Sequence, residues 1–102
     1  MKVYNKLVRD LIPEIIQKDN KTCKTRILSD EEYVSFLEEK LNEEVAEYRA
    51  DKNLEEMADI LEVLYALCEA KGFTKEELEA LRKEKATKRG GFSNKIFLES
   101  VE

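Results

Sequence analysis

Between residues 30 and 71 the chain repeats apolar side chains at three- and four-residue intervals, the spacing of one face of an α-helix. The first run carries Val34, Leu37, Leu41, Val45 and Tyr48. The second carries Leu54, Met57, Ala58, Leu61, Leu64, Tyr65 and Cys68, with Ile60, Val63 and Leu67 widening its face. Both runs are punctuated. Ser29-Asp30-Glu31-Glu32 is a capping box, so a helix is predicted from Asp30 to about Arg49. Asp51-Lys52-Asn53 breaks the pattern, and a second helix is predicted over Leu54–Lys71, stopped by Gly72. Thr74-Lys75-Glu76-Glu77 is another capping box and opens a third helix to about Lys85. The break between the two central helices is short, which predicts an antiparallel hairpin.

The flanks carry less pattern. Residues 1–10 mix apolar and charged types and read as an extended arm. Pro13 suits the first turn of a short helix to about Lys18, and Asp10 reads as its cap. Asp19-Asn20-Lys21 is a loop, and the β-branched residues between Thr22 and Leu28 predict a short strand. Gly90-Gly91 ends the helical part, leaving Phe92 to Leu98 as a short strand or a docked tail. The expected architecture is therefore all-α, one domain over residues 1–102, with short extended segments at either end. The second helix is apolar over more than half its circumference, more than one partner helix covers. A four-helix-bundle core formed by dimerisation, as a homodimer or a dimer of dimers, is the expected solution.

Charge and composition narrow the function. The formal net charge is −5, which argues against a general nucleic-acid binder. Histidine is absent and the two cysteines, Cys23 and Cys68, are far apart, so a thiolate or imidazole zinc site is excluded and a reducing compartment is favoured. The amino-terminal residues show no apolar signal-peptide core, and no apolar run approaches the length of a membrane span. A cytoplasmic protein is expected.

Most of the acids, including Glu31, Glu32, Glu38, Glu39, Glu76, Glu77 and Glu79, belong to solvated helix faces and caps. Glu44 does not. At about 100° per residue it lies about 20° from Leu37 and about 60° from Leu41, inside the apolar stripe, with Glu47 about 60° further round. Glu56 and Asp59 lie three residues apart at the border of the second helix's apolar face, beside Ile60 and Val63, and Lys40 is the one lysine or arginine of the two helices that comes near an equivalent inward position. A buried carboxylate is costly unless it is paired or binds metal. Two such pairs on antiparallel helices can converge on one point, and oxygen-only ligands select hard cations such as Mg²⁺ or Mn²⁺. In a chain with 23 acids the same pairs also fit structural ion pairing.

These residues carry a resemblance. Glu43-Glu44-Val45-Ala46-Glu47 followed by Glu56-Met57-Ala58-Asp59 resembles the EExxE and ExxD motifs of the MazG-type, all-α nucleoside triphosphate pyrophosphohydrolases, which include phosphoribosyl-ATP pyrophosphohydrolase. The opening Tyr4-Asn5-Lys6-Leu7-Val8-Arg9-Asp10-Leu11-Ile12-Pro13-Glu14, and Lys88-Arg89-Gly90-Gly91-Phe92 near the end, look like a small MazG-like branch. The resemblance implies Mg²⁺-dependent cleavage between the α and β phosphates of a nucleotide, giving a monophosphate and pyrophosphate. It implies Glu44, Glu47, Glu56 and Asp59 as metal ligands and Glu43 as the general base, a position an ordinary surface acid also explains. Lys6 and Arg9 would reach phosphate oxygens, with Asn5 in the same motif, and Lys88 and Arg89 would form a basic turn against phosphate. A solvated arm and a basic helix C-terminus are the plain alternatives for these two segments. The chain departs from the phosphoribosyl-ATP enzyme, which has a Tyr-His pair in its second helix where this chain reads Leu64-Tyr65-Ala66. A house-cleaning role on a (deoxy)nucleoside triphosphate is the first expectation. The alternatives are a role in histidine biosynthesis and a non-catalytic helical dimerisation module.

Overall fold

The computed structural model describes residues 2–102, and they form four helices with no strand among them. The order is α1 (Ile12–Lys18), α2 (Asp30–Asp51), α3 (Leu54–Ala70) and α4 (Lys75–Arg89). Each long helix starts where a side chain satisfies orphan backbone amides. Ser29 caps α2 and Thr74 caps α4, each in a full capping box with the glutamate three residues on, Glu32 and Glu77. Asn53 caps α3 by accepting from the Glu56 amide. Lys52, left-handed at φ 53°, makes the turn between α2 and α3 in two residues, and the helices therefore pack as a hairpin. Gly72 closes α3 in a Schellman turn: its amide donates to the Glu69 carbonyl, the Phe73 amide to the Cys68 carbonyl, and its φ of 87° is one that side chains resist.

The core is thin. Leu37 of α2 and Val63 of α3 are the apolar residues that are truly buried among those described, at 3% and 8% exposure. Ile60 and Leu67 flank Val63 and are half-buried against α2. The other stripe of α3, Leu54, Met57, Leu61 and Leu64, faces outward. α4 touches α3 alone, at a junction tied by Lys75 to Glu69 and by the Cys68 thiol to the Thr74 carbonyl. The chain is correspondingly elongated: its radius of gyration is 17.9 Å, against about 13 Å for a compact domain of this length.

Four expectations are corrected. Thr22–Leu28 is not a strand: among the described residues no second strand is present to complete a ladder, and Ile27 stands 95% exposed. α4 runs four residues past Lys85 to Arg89, where Gly90 at φ 81° stops it. Phe92 to Leu98 is neither strand nor docked tail: a turn closed by the Lys95 amide on the Phe92 carbonyl leads into Ile96, Phe97 and Leu98, all exposed. Asp10 does not cap α1, whose cap position is Leu11 without a side-chain bond. Among the described residues no helix is long and apolar enough to cross a membrane.

Candidate metal centre

The hairpin brings Glu44 and Glu47 of α2 to Glu56 and Asp59 of α3. Carboxylate oxygens of Glu44, Glu56 and Asp59 lie within 4.8 Å of one another, and so do those of Glu43, Glu44 and Glu47. Glu44 is the shared corner of both groups. It is 6% exposed although its neighbour Val45 is 38% exposed, so the carboxylate occupies the core-facing position and the valine does not. Glu47 lies against Glu44, and burial together with this like charge pushes the Glu44 carboxyl above its ordinary pKa. Glu56 is also pushed up, by burial first and then by the charges of Asp59, Asp51 and Glu44.

One detail of α3 shows that its first turn is arranged differently from those of α2 and α4. Glu56 occupies the position that Glu32 and Glu77 occupy in their helices, three residues past the cap. Glu32 and Glu77 accept the cap residue's amide. Among the described residues Glu56 does not accept that of Asn53; its carboxylate turns into the acid cluster instead.

Three cations face the acids. The ammonium of Lys40, 17% exposed, lies 3.4 Å from Oε1 of Glu44 and 3.4 Å from Oε2 of Glu43. Lys6 donates to Oε1 of Glu43 at 3.3 Å, and Arg9 donates through Nη2 to Oδ1 of Asp59 at 2.7 Å. The arm thus serves the acids of its own chain. Burial raises the Glu43 carboxyl, but Lys6 and Lys40 outweigh it and hold the group below its usual value. The compensation is incomplete. Oε2 of Glu44 and Oε2 of Glu56 are both buried without a hydrogen-bond partner among the described residues. Orphaned carboxylate oxygens in a low-dielectric setting are what a hard cation satisfies. Ligand oxygens in a magnesium octahedron are about 3–4.2 Å apart, so a small inward movement of side chains closes the group around an ion. The all-oxygen donor set is one that could hold a hard divalent cation.

The remaining predicted residues fall into two sets. Asn5 lies on the arm at φ 46°, shaping the bend before Lys6, and its side chain has no hydrogen-bond partner among the described residues. Lys88 and Arg89 are not brought to the acids. They lie at the far end of α4, about 20 Å along its axis from Lys75, and Lys88 pairs with Glu84 at 2.9 Å. Lys40 is the residue the sequence signalled only faintly, as the one cation on an inward position of the hairpin. One turn beyond Asp59 an open groove of about 430 Å³ runs between Asp10, Tyr33, Glu62, Tyr65 and Glu69.

Comparisons with known proteins add little to this geometry. No family model and no solved structure matches the chain. Over 44 residues it is 57% identical to an uncharacterized protein of Mycolicibacterium smegmatis (strain ATCC 700084 / mc(2)155). The match takes in 43% of this chain and 45% of that protein, so the chain spans less than half the length of this relative.

Proposed function

We propose that this protein is a nucleotide pyrophosphohydrolase of the MazG type, hydrolysing the α–β phosphate bond of a (deoxy)nucleoside triphosphate with Mg²⁺ or Mn²⁺ in a cytoplasmic, house-cleaning role. The observation that carries the reading is Glu44: a carboxylate buried in the hairpin, one oxygen orphaned, at the corner shared by two groups of acids. A helix-pairing module has no use for that arrangement, because an apolar residue there stabilises the hairpin more. Both thiols are free, which suits a reducing compartment.

In this reading Glu44, Glu47, Glu56 and Asp59 hold the cation, which neutralises phosphate charge and makes water a stronger nucleophile at neutral pH. The chain's own residues do the rest. Through that cation the carboxylates would position the phosphates near the turn between α2 and α3. Lys6 and Arg9, already paired with Glu43 and Asp59, donate to phosphate oxygens. Glu43 is the acid placed to take the proton of the attacking water once its lysine pairs loosen; paired as it is here, it is a weak base. The groove beside Tyr33 and Tyr65 offers aromatic faces to the nucleoside. With water as nucleophile at the α-phosphorus, the reaction in ¹⁸O-water should place the label on the monophosphate. A screen of nucleoside triphosphates and phosphoribosyl-ATP with Mg²⁺ should release pyrophosphate; label appearing only in orthophosphate would refute the assignment.

The active form is proposed to be at least a dimer, its hairpins joined in a four-helix bundle. Leu54, Met57, Leu61 and Leu64 recur at heptad-like spacing and are 79%, 47%, 46% and 39% exposed. Two buried apolar residues are too few to hold a chain of this length, and a second copy of the same stripe is a self-complementary cover. Assembly would also offer Lys88 and Arg89 a route to substrate, since α4 meets α3 alone among the helices of its own chain.

A further inference from the structure

The metal-ligating acids are not left bare: their own arm covers them, and the manner of cover has a consequence for binding order. Five carboxylates, those of Glu43, Glu44, Glu47, Glu56 and Asp59, face the three cations Lys6, Arg9 and Lys40. Lys40 is built into α2 and half-buried, so it stays. Lys6 and Arg9 are different. They sit on a segment without regular structure, with side chains 41% and 56% exposed, and ion pairs this wet hold weakly. Between them Leu7 is half-buried beside Phe36 and Lys40, so the arm is held to α2 at a point other than its two ion pairs. With the arm in place the cluster carries two uncompensated negative charges; with Lys6 and Arg9 turned away it carries four, the charge of two divalent cations. Glu44, 6% exposed and with one orphaned oxygen, marks the position a cation would satisfy.

We propose that Lys6 and Arg9 are exchangeable counter-ions, holding Glu43 and Asp59 in the ion-free protein and passing to phosphate oxygens when divalent metal takes the acids. This deepens the reading of the centre as a metal–nucleotide site and rests on it. The same two cations weaken the binding of metal alone, by repulsion and by competition for Asp59, and strengthen the binding of metal together with polyphosphate. Metal and phosphate binding are thereby coupled, and coupling is reciprocal. The Leu7 anchor keeps the released cations at high local concentration, so the transfer needs no rearrangement of the hairpin. Arg9 acts here as a binding residue that changes partner, and the exchange depends on its charge.

The test uses the full chain and two probes: Mn²⁺ alone, followed by the spectroscopic signal of free Mn²⁺, and inorganic triphosphate premixed with saturating Mn²⁺, followed by calorimetry. Arg9→Gln should bind Mn²⁺ alone about three- to tenfold more tightly than the wild type and manganese triphosphate about tenfold more weakly. Lys6→Gln should move both in the same directions. Arg9→Lys keeps the charge and should keep the wild-type affinity for Mn²⁺ alone. Because Arg9 is exposed, melting in the presence of a chelator should stay near wild type and certify the fold. If Arg9→Gln binds Mn²⁺ no more tightly than wild type, or triphosphate no more weakly, the exchange is wrong while the metal centre stands. If neither wild type nor variant binds Mn²⁺, the metal centre itself falls, and the exchange with it.

Discussion

Glu44→Gln is expected to raise the melting temperature of the metal-free protein and, at the same time, to remove the rise that Mg²⁺ gives the wild type. The two effects have one cause. Glu44 is 6% exposed, has a like charge in Glu47 beside it, and has one oxygen without a partner. An uncompensated buried polar group costs on the order of 1–3 kcal/mol. Glutamine has the same shape, carries no charge, and its amide can donate to Glu47. Relief of about 1 kcal/mol corresponds to a gain of about 4–8 °C for a domain of this size. On the proposed reading the same carboxylate is the shared ligand of the centre, so bound metal should stabilise the wild type by mass action and the variant should lose that response. Pyrophosphate release should fall by about 10³-fold, since the contribution of a metal centre is several kcal/mol and each 1.36 kcal/mol is tenfold. A residue serving only the fold gives the opposite signature: lower stability and an intact response to metal. Melting curves with chelator and with Mg²⁺ separate the two.

The second large effect is expected at the bare stripe of α3. Leu64→Glu should convert the assembly to monomers of 11.9 kDa at micromolar concentration, lower the melting temperature and remove activity together. Fully burying a leucine or methionine is worth about 1.5–3 kcal/mol, and a two-fold interface uses Leu54, Met57, Leu61 and Leu64 twice. A glutamate at position 64 loses that contribution on both copies and sets two carboxylates near each other in an apolar seam. The substitution lies about 7.5 Å along α3 from Asp59, so an unchanged Mn²⁺ affinity in the variant is what assigns the lost activity to lost assembly. Sedimentation equilibrium decides it. Wild-type protein sedimenting as a monomer overturns the bundle, and a Leu64→Glu variant that remains associated moves the interface elsewhere.

The hairpin was legible because its signals are local and redundant: capping boxes at Ser29 and Thr74, apolar spacing, a break at Asp51-Lys52-Asn53, and a glycine stop at position 72; that Asn53 caps α3 came from the structure. The inward placement of Glu44 was legible from helical angle alone, and the structure buries it even more deeply than Val45. What failed was context. Thr22–Leu28 has the side chains of a strand, but pairing needs a second strand that propensity does not supply. The apolar rhythm of α4 fades after Leu81, yet Glu84 and Lys88, four residues apart and paired, carry the helix on to Arg89. The tail from Phe92 carries apolar residues but meets no surface in one chain. At the centre, the pairing of Arg9 with Asp59 spans 50 residues of sequence and follows from where the arm lies, which no periodicity encodes. Lys40 was visible only as an exception on the inward face, because a lysine three and four residues before two glutamates reads equally well as a surface pair.

Four carboxylates of one hairpin are proposed to hold a divalent cation for phosphate chemistry, and anomalous diffraction from crystals of the full chain soaked in Mn²⁺ tests this at the site itself. A peak is expected among Glu44, Glu47, Glu56 and Asp59, with Arg9 no longer on Asp59. Well-ordered crystals with these side chains in density and no anomalous peak between them would contradict the proposal.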